Sequence, residues 1–208
     1  MEHSRSERLL EGSRWDRSWT AQPTRHGAPY PCYPGAAVSW TPMSNTYDTI
    51  LRLRAIREYA DRSVEPEDLR RVLEAARWTG SAKNRQNWSI IVVDDRRQMD
   101  RLAGCASFAG PLSKAPVALA LVQEGSTYGF DIGRMAQNIM LAASAIGMVS
   151  CPITLHDNEK AHEVLEIPDG RRCRYAIALG YPSPASRPAK AGGRKPLEEI
   201  IHHNSYGA

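Results

Sequence analysis

The chain has 208 residues, 42% of them hydrophobic and 24% charged, an ordinary globular balance that allows one compact domain, or one domain and a tail. Its formal charge of +4 is scattered rather than gathered in runs, and no RNP, zinc-finger or helix-turn-helix pattern accompanies it, which disfavours nucleic-acid binding. No stretch reaches the roughly 18 uncharged apolar residues of a membrane span. No apolar h-region marks a secretory signal. The cysteines, Cys32, Cys105, Cys151 and Cys173, form neither a C-x-x-C pair nor a zinc spacing. The expectation is a reduced, cytoplasmic protein with no metal site and no membrane partner.

Residues 1–44 mix Arg, Ser, Pro, Gly and isolated Trp without helical or strand period, and the run Pro29-Tyr30-Pro31-Cys32-Tyr33-Pro34-Gly35 reads as irregular chain. Such a segment buries too little apolar surface to offset its ordering entropy. A disordered or irregular extension over 1–44, followed by one domain over 45–208, is therefore expected. Met43 stands just before the first periodic segment, so two origins of the upstream residues stay open: translation beginning at Met43, or a genuine extension. Mass spectrometry of the native N-terminus separates them.

Beyond Thr46 helical and strand patterns alternate. Tyr47 to Leu53 predicts a short helix with Tyr47, Ile50 and Leu51 on one face. Pro66 to Trp78 predicts a longer one: Pro66 suits the first turn, Glu67 and Asp68 suit the positive end of the dipole, and Leu69, Val72, Leu73 and Ala76 form a stripe. Trp88 to Val93 reads as a buried strand, Arg96 to Ala103 as a surface helix and Ala115 to Val122 as a second buried strand. Phe130 to Ile146 is a central helix with Ile132, Met135, Ala136, Ile139, Met140, Ala143 and Ile146 on a broad face, and Gly147 is placed to end it. Met148 to Ile153, Glu159 to Leu165 and Tyr175 to Leu179 follow as strand, helix and strand. This order predicts an α+β or α/β sandwich around one sheet.

Three clusters carry candidate chemistry. Arg54 and Arg57, three apart after the first helix, can clamp a phosphate or a polarised ring edge with their forked donors, or form a solvated helix end. Ser81-Ala82-Lys83-Asn84-Arg85-Gln86-Asn87-Trp88 lies between a helix and a strand, and Asn84 and Gln86 each offer the donor and acceptor that a planar heterocycle needs. Trp88 itself reads as core packing. Arg194 and Lys195 follow the flexible run Ala189 to Gly193 and precede a helical tail; they suit a phosphate or plain solubility. His156, His162, His202 and His203 read as surface residues, Cys151 as a packed thiol, and Ser81 has no base partner to make it a nucleophile. No G-x-G-x-x-G turn predicts a Rossmann nicotinamide domain.

The order of these clusters resembles the nitroreductase family of flavoproteins. Leu53-Arg54-Ala55-Ile56-Arg57-Glu58-Tyr59 resembles its R-R-S-x-R-x-F/Y element, and Thr79 to Trp88 resembles its A-P-S-x-x-N-x-Q-P-W element. Asp131 to Asn138 resembles the start of its long helix, and Cys151-Pro152-Ile153-Thr154-Leu155 its strand with a P-I/V pair. Gly180-Tyr181-Pro182 and Arg194-Lys195-Pro196-Leu197-Glu198-Glu199-Ile200 resemble its G-Y-P and R-K-P-L-E-E-I elements. The resemblance covers nearly all of Thr46 to Gly207 and none of the first forty residues.

The resemblance implies one central, mostly antiparallel sheet flanked by helices, in a domain-interlocked homodimer with FMN at the interface and NADH or NADPH as donor. Arg54, Ala55 and Arg57 are then expected at the phosphate and pyrimidine side of the flavin, Asn84 and Gln86 at the ring edge or ribityl chain. Pro152 and the backbone of Thr154 and Leu155 are expected near the hydride-accepting nitrogen. Arg194 and Lys195 are expected at the phosphate from the other subunit, and the helix from Phe130 at the dimer interface. The family's Ser is Ala55 here, its leading Arg is Leu53 and its Pro is Asn87. One neutral hydrogen bond is worth about 0.5–1.5 kcal/mol, so weakened rather than abolished FMN binding is expected. The short connection between Val122 and Phe130, where larger relatives carry covering helices, implies an open pocket.

The implied activity is ping-pong hydride transfer from NAD(P)H through FMN to a small electron-poor acceptor, a nitroaromatic or a quinone, without an acid–base triad. The rival readings are a non-catalytic flavin-binding or storage protein, and another flavin enzyme on the same fold, such as a dehalogenase or a flavin-fragmenting oxygenase.

Overall fold

Four strands, Trp88–Val93 (β1), Val117–Glu124 (β2), Val149–Thr154 (β3) and Arg171–Gly180 (β4), form one sheet in the order β1-β2-β4-β3, each neighbouring pair antiparallel. Six α-helices accompany them among the described residues: Ser44–Arg52 (α1), Pro66–Arg77 (α2), Arg96–Ala103 (α3), Gly110–Lys114 (α4), Gly129–Ala145 (α5) and Asn158–Leu165 (α6). This computed structural model describes residues 44–125, 129–188 and 193–207. The extension expected over 1–44 lies outside them except for Ser44, which opens α1.

The alternation of side chains along each strand builds two cores. On β2, Ala118, Ala120 and Val122 face one side, where Met99 and Leu102 of α3, Leu112 of α4 and Val164 of α6 cover them. Val117, Leu119 and Leu121 face the other, beneath Leu69, Val72 and Ala76 of α2 and Ile132, Met135, Ile139 and Ala143 of α5. Small residues on the first face of β4, Ala176 and Ala178, let α6 lie close; Ile177 and Leu179 fill the second. Each of Leu119, Ile139 and Ile177 is fully buried, and removing one such side chain from water is worth about 1.5–3 kcal/mol. The sandwich predicted from the alternating patterns is therefore present, with its single sheet antiparallel.

Local signals account for the helix ends. Pro66 occupies the first turn of α2 with Glu67 and Asp68 beside it. The Asp95 side chain accepts from Gln98 N at 2.8 Å and opens α3. Gly147 takes φ +78 after α5, the left-handed conformation that lets the chain turn directly into β3.

The structure moves some expected boundaries. β2 starts two residues late because Pro116 has no N–H for the ladder. β4 starts at Arg171 rather than Tyr175, because Arg171 and Arg172 pair with Glu124 and Gln123 across a bulge. The helix α4, unpredicted, is a single turn led by Pro111. The helical tail expected after Lys195 is a 3₁₀ turn, Leu197–Glu199. On α1 the expected apolar face of Tyr47, Ile50 and Leu51 is exposed.

Candidate functional site

β3 is an edge strand, and its pattern of outward groups organises the site. Leu155 N donates to Arg174 O at 2.8 Å, so Leu155, Ile153 and Cys151 turn their polar backbone groups inward to β4. Ser150, Pro152 and Thr154 turn theirs outward, as residues of the intervening pairs must. The outward Ser150 carbonyl is taken by Ile56 N at 2.9 Å. Pro152 has no N–H to expose, the usual place for proline in a sheet. The Thr154 N–H points out along the edge. Of the two backbone positions expected near a flavin, Thr154 thus offers a donor and Leu155 does not: its N–H is used in the sheet and its side chain is fully buried.

The bond from Ile56 to Ser150 brings the first arginine cluster to this edge. α1 ends at Arg52, and the following chain runs extended, bridging Pro188 at Ile56. Arg54 folds back on α1, its Nη1 donating to the carbonyls of Leu51 at 2.7 Å and Leu53 at 2.8 Å. Ala55 is half-buried and Arg57 is exposed. Burial pushes the Tyr59 phenol and the Cys151 thiol up; Arg57, beside both, opposes it. Arg54, Ala55, Arg57, Pro152 and Thr154 are therefore gathered on one edge, with a thiol that stays protonated. Tyr59 Oη is buried there with no hydrogen-bond partner, an orphaned polar atom of the kind that functional sites retain. Its place in the first arginine cluster is the one sequence signal Tyr59 carries.

The second cluster is shaped by strain. Lys83, Asn84 and Gln86 all have positive φ, at 55°, 52° and 49°. Asparagine tolerates this region; lysine and glutamine enter it at a cost of about 1 kcal/mol or more each. Ser81 Oγ accepts from Gln86 N at 2.9 Å, so its role is to cap the loop. Gln86 Nε2 donates to Asn84 Oδ1 at 3.0 Å. The two side chains expected to meet a ligand separately form one amide pair. Two residues of α5 that sequence reasoning left without a role fix the loop: Asn138 Nδ2 donates to Thr79 Oγ1 and Arg134 Nη1 to Gly80 O, both at 3.0 Å. Their only sequence signal is the motif at the start of that helix.

Within one chain these clusters stay apart. The loop precedes β1 and the arginines lie along β3, at opposite edges of the sheet with β2 and β4 between them. Three strand spacings are about 14 Å. Arg194 and Lys195 are exposed before the 3₁₀ turn, and no hydrogen bond or ion pair among the described residues ties them to either cluster. His156 accepts from Ser107 N at the surface, and the cysteines Cys105, Cys151 and Cys173 are buried and free. No group of His, Cys, Asp and Glu that could hold a metal ion occurs among the described residues, and none of their helices is long and apolar enough to cross a membrane.

A strained amide loop, an edge strand with an outward N–H and arginines beside it are the polar features that this α+β fold gathers at the edges of its sheet. The family model described as "Nitroreductase family" matches residues 50–128 and 111–181. The chain belongs to the nitroreductase family. It is 30% identical over 151 residues to a putative NADH dehydrogenase/NAD(P)H nitroreductase of Archaeoglobus fulgidus, covering 67% of this chain and 87% of that one. It is 28% identical over 193 residues to the FMN reductase (NADPH) of Bacillus subtilis, covering 79% and 75%. The fold superposes on the crystal structure of a putative NADH dehydrogenase/NAD(P)H nitroreductase of Parabacteroides distasonis with a TM-score of 0.71, at 27% identity, over 78% of this chain and 99% of that one.

Proposed function

We propose that this chain binds FMN and is an NAD(P)H-dependent oxidoreductase that reduces electron-poor acceptors, nitroaromatics or quinones, in alternating half-reactions. The observation that carries the reading is the edge of β3, where the bond from Ile56 to Ser150 sets the segment of Arg54 and Arg57 alongside the strand whose Thr154 N–H faces outward. FMN, when bound, supplies the hydride chemistry; the residues supply position and charge. Arg54 and Arg57 hold the anionic and pyrimidine side of the cofactor, and their fixed charge favours a negative ring. Thr154 N–H donates at the strand edge beside Pro152. Asn84 and Gln86 present one donor–acceptor edge from a loop that α5 keeps rigid, and Arg194 with Lys195 holds the phosphate. Leu155 acts by packing alone.

The donor set fits FMN once a second copy is present. Arginines and amides at opposite sheet edges meet on one cofactor when a partner brings its loop to β3, so the working unit is a homodimer. The exposed Tyr47, Ile50 and Leu51 of α1, Phe130 of α5, and Leu197, Ile200 and Ile201 of the tail supply apolar surface for that contact. We assign the flavin-binding unit to residues 45–208.

The test is an absorbance spectrum of the purified protein, followed by anaerobic titration with NADH and NADPH. Flavin absorbance that bleaches with either nicotinamide, a dimer by sedimentation, and parallel initial-rate lines with a quinone are expected. A colourless monomer that takes up no added FMN overturns the proposal.

A further inference from the structure

A cavity of about 400 Å³ lies between α6 and the start of β4, lined by Asn158, Glu159, His162, Arg171, Arg172 and Arg174. Among these described residues Glu159 is the one carboxylate facing three guanidinium groups and an imidazole. Arg171 has a distant counter-ion, Glu124, at 3.8 Å. Arg172 and Arg174 are exposed, and no ion pair among the described residues engages them. Cations crowded into one concavity repel each other, and a fold that keeps them there gains when an anion supplies the missing charge.

The backbone is shaped to present them. Between the Leu121–Tyr175 and Gln123–Arg172 pairs β4 spends one residue more than β2. This bulge lets Cys173 sink into the same core as Ala176 and Ala178, although an odd number of positions separates it from Ala176. Arg172 and Arg174 flank the sunken thiol, both at the surface. Bulges of this kind re-aim side chains beside functional sites. The guanidinium fork matches a phosphate with paired donors, which a scattered lysine patch does not.

One backbone bond links the cavity lining to the candidate flavin edge. Arg174 O accepts from Leu155 N, the residue after Thr154, whose N–H faces the sheet edge. We propose that Arg172 and Arg174, with Arg171 and His162, form a phosphate site that holds the phosphorylated adenosine part of the nicotinamide dinucleotide. The identity of the dinucleotide rests on the flavin oxidoreductase reading; the anion site rests on the cavity. Two phosphates of the donor share this chemistry, the 2′-monoester carried by NADPH alone and the pyrophosphate carried by both donors.

The test is the Arg172→Ser/Arg174→Ser variant of the FMN-loaded protein, with KM measured for NADPH and NADH against a fixed quinone. KM is expected to rise roughly tenfold or more, the loss of a charge-assisted contact, with kcat and FMN content unchanged. A rise confined to NADPH assigns the 2′-phosphate; an equal rise for both donors assigns the pyrophosphate. Calorimetry with adenosine 2′,5′-bisphosphate reads the cavity without turnover and whether or not flavin is bound: binding by the native chain and its loss in the variant are expected. Unchanged KM values with unchanged calorimetric binding overturn the proposal, as do loss of FMN from the variant or inorganic phosphate binding as tightly as the bisphosphate. Where the double variant melts early, Arg172→Gln alone gives the same readouts. A chain that takes up no flavin defeats the proposed function, while the calorimetry still decides the cavity.

Discussion

Asn138 Nδ2 donates to Thr79 Oγ1 at 3.0 Å, tying the middle of α5 to the second residue beyond α2, where the strained loop opens. Thr79 is buried, only 4% exposed, so water cannot replace a lost partner. Asn138→Ala is expected to lower stability by about 1–3 kcal/mol in urea melts, the cost of an unsatisfied buried group. It is also expected to weaken FMN retention, because the loop carrying Asn84 and Gln86 loses its anchor. Lower stability with unchanged retention separates the loop from the cofactor.

The two arginines of the first cluster have different duties, and their variants are expected to differ. Arg57→Ala removes an exposed charge at the β3 edge and leaves the fold intact; FMN affinity is expected to fall by roughly tenfold or more. Arg54→Ala also strips the carbonyls of Leu51 and Leu53 of a donor. Loss of helical circular dichroism together with loss of FMN is expected there. Equilibrium fluorescence titration with FMN, beside far-ultraviolet spectra, checks both.

Lys83 holds φ 55° without the side-chain chemistry that makes this region tolerable for asparagine. Lys83→Gly is expected to raise stability by up to about 1 kcal/mol, since relief of strain outweighs the added freedom of the unfolded chain. Lys83→Val is expected to lower it by more, because a β-branched side chain fits this region worst. Thermal melts of the pair give opposite signs if strain is real, and the same sign if it is not.

Burial pushes the Cys173 thiol up to about 12, with Cys105 adding to the shift, from an ordinary value of 9.0. A raised folded value means that the native chain holds its proton longer than the unfolded chain does. The contribution is whole below pH 9 and is lost as pH climbs from 9 toward 12. Cys173→Ala is expected to lose less stability than the native sequence between pH 8 and pH 10.5 in urea melts. Equal losses remove Cys173 from the alkaline transition; Cys105 and Cys151, also shifted up by burial, act with the same sign.

A Cβ at Gly180 lies 2.9 Å from both Pro116 Cδ and Tyr59 Cδ1. Gly180→Ala is expected to cost about 1–3 kcal/mol, as overpacking does, and to displace the Tyr59 ring from its place beside Cys151 and Arg57. Weaker FMN binding is expected alongside the lower melting temperature. A normal melting temperature shows that the ring yields without cost.

Period and punctuation made the fold legible. Trp88–Val93, a short apolar run, and Arg96–Ala103 match their sequence readings to the residue, and the structure adds the Asp95 cap that opens the helix. Arg171-Arg172-Cys173-Arg174 concealed a strand, since its pairing with Glu124 and Gln123 is non-local and its charges mimic a loop. In the site, the residue types at Arg54, Arg57, Asn84 and Gln86 were legible and their partners were not. The bond between the Asn84 and Gln86 side chains, the positive φ values and the inward turn of Leu155 N–H all arise from tertiary register. A one-residue change in that register exchanges the roles of Thr154 and Leu155.

Pro152 has a further consequence. An exposed edge is a template on which foreign chains can grow a ladder. An intruding strand aligned on β3 finds its ladder interrupted at the imide nitrogen, beside a carbonyl already claimed by Ile56. The proline ring, which leaves no N–H in the middle of this edge, also protects the molecule against amyloid-like stacking, so replacing it with valine trades an interrupted edge for an adhesive one.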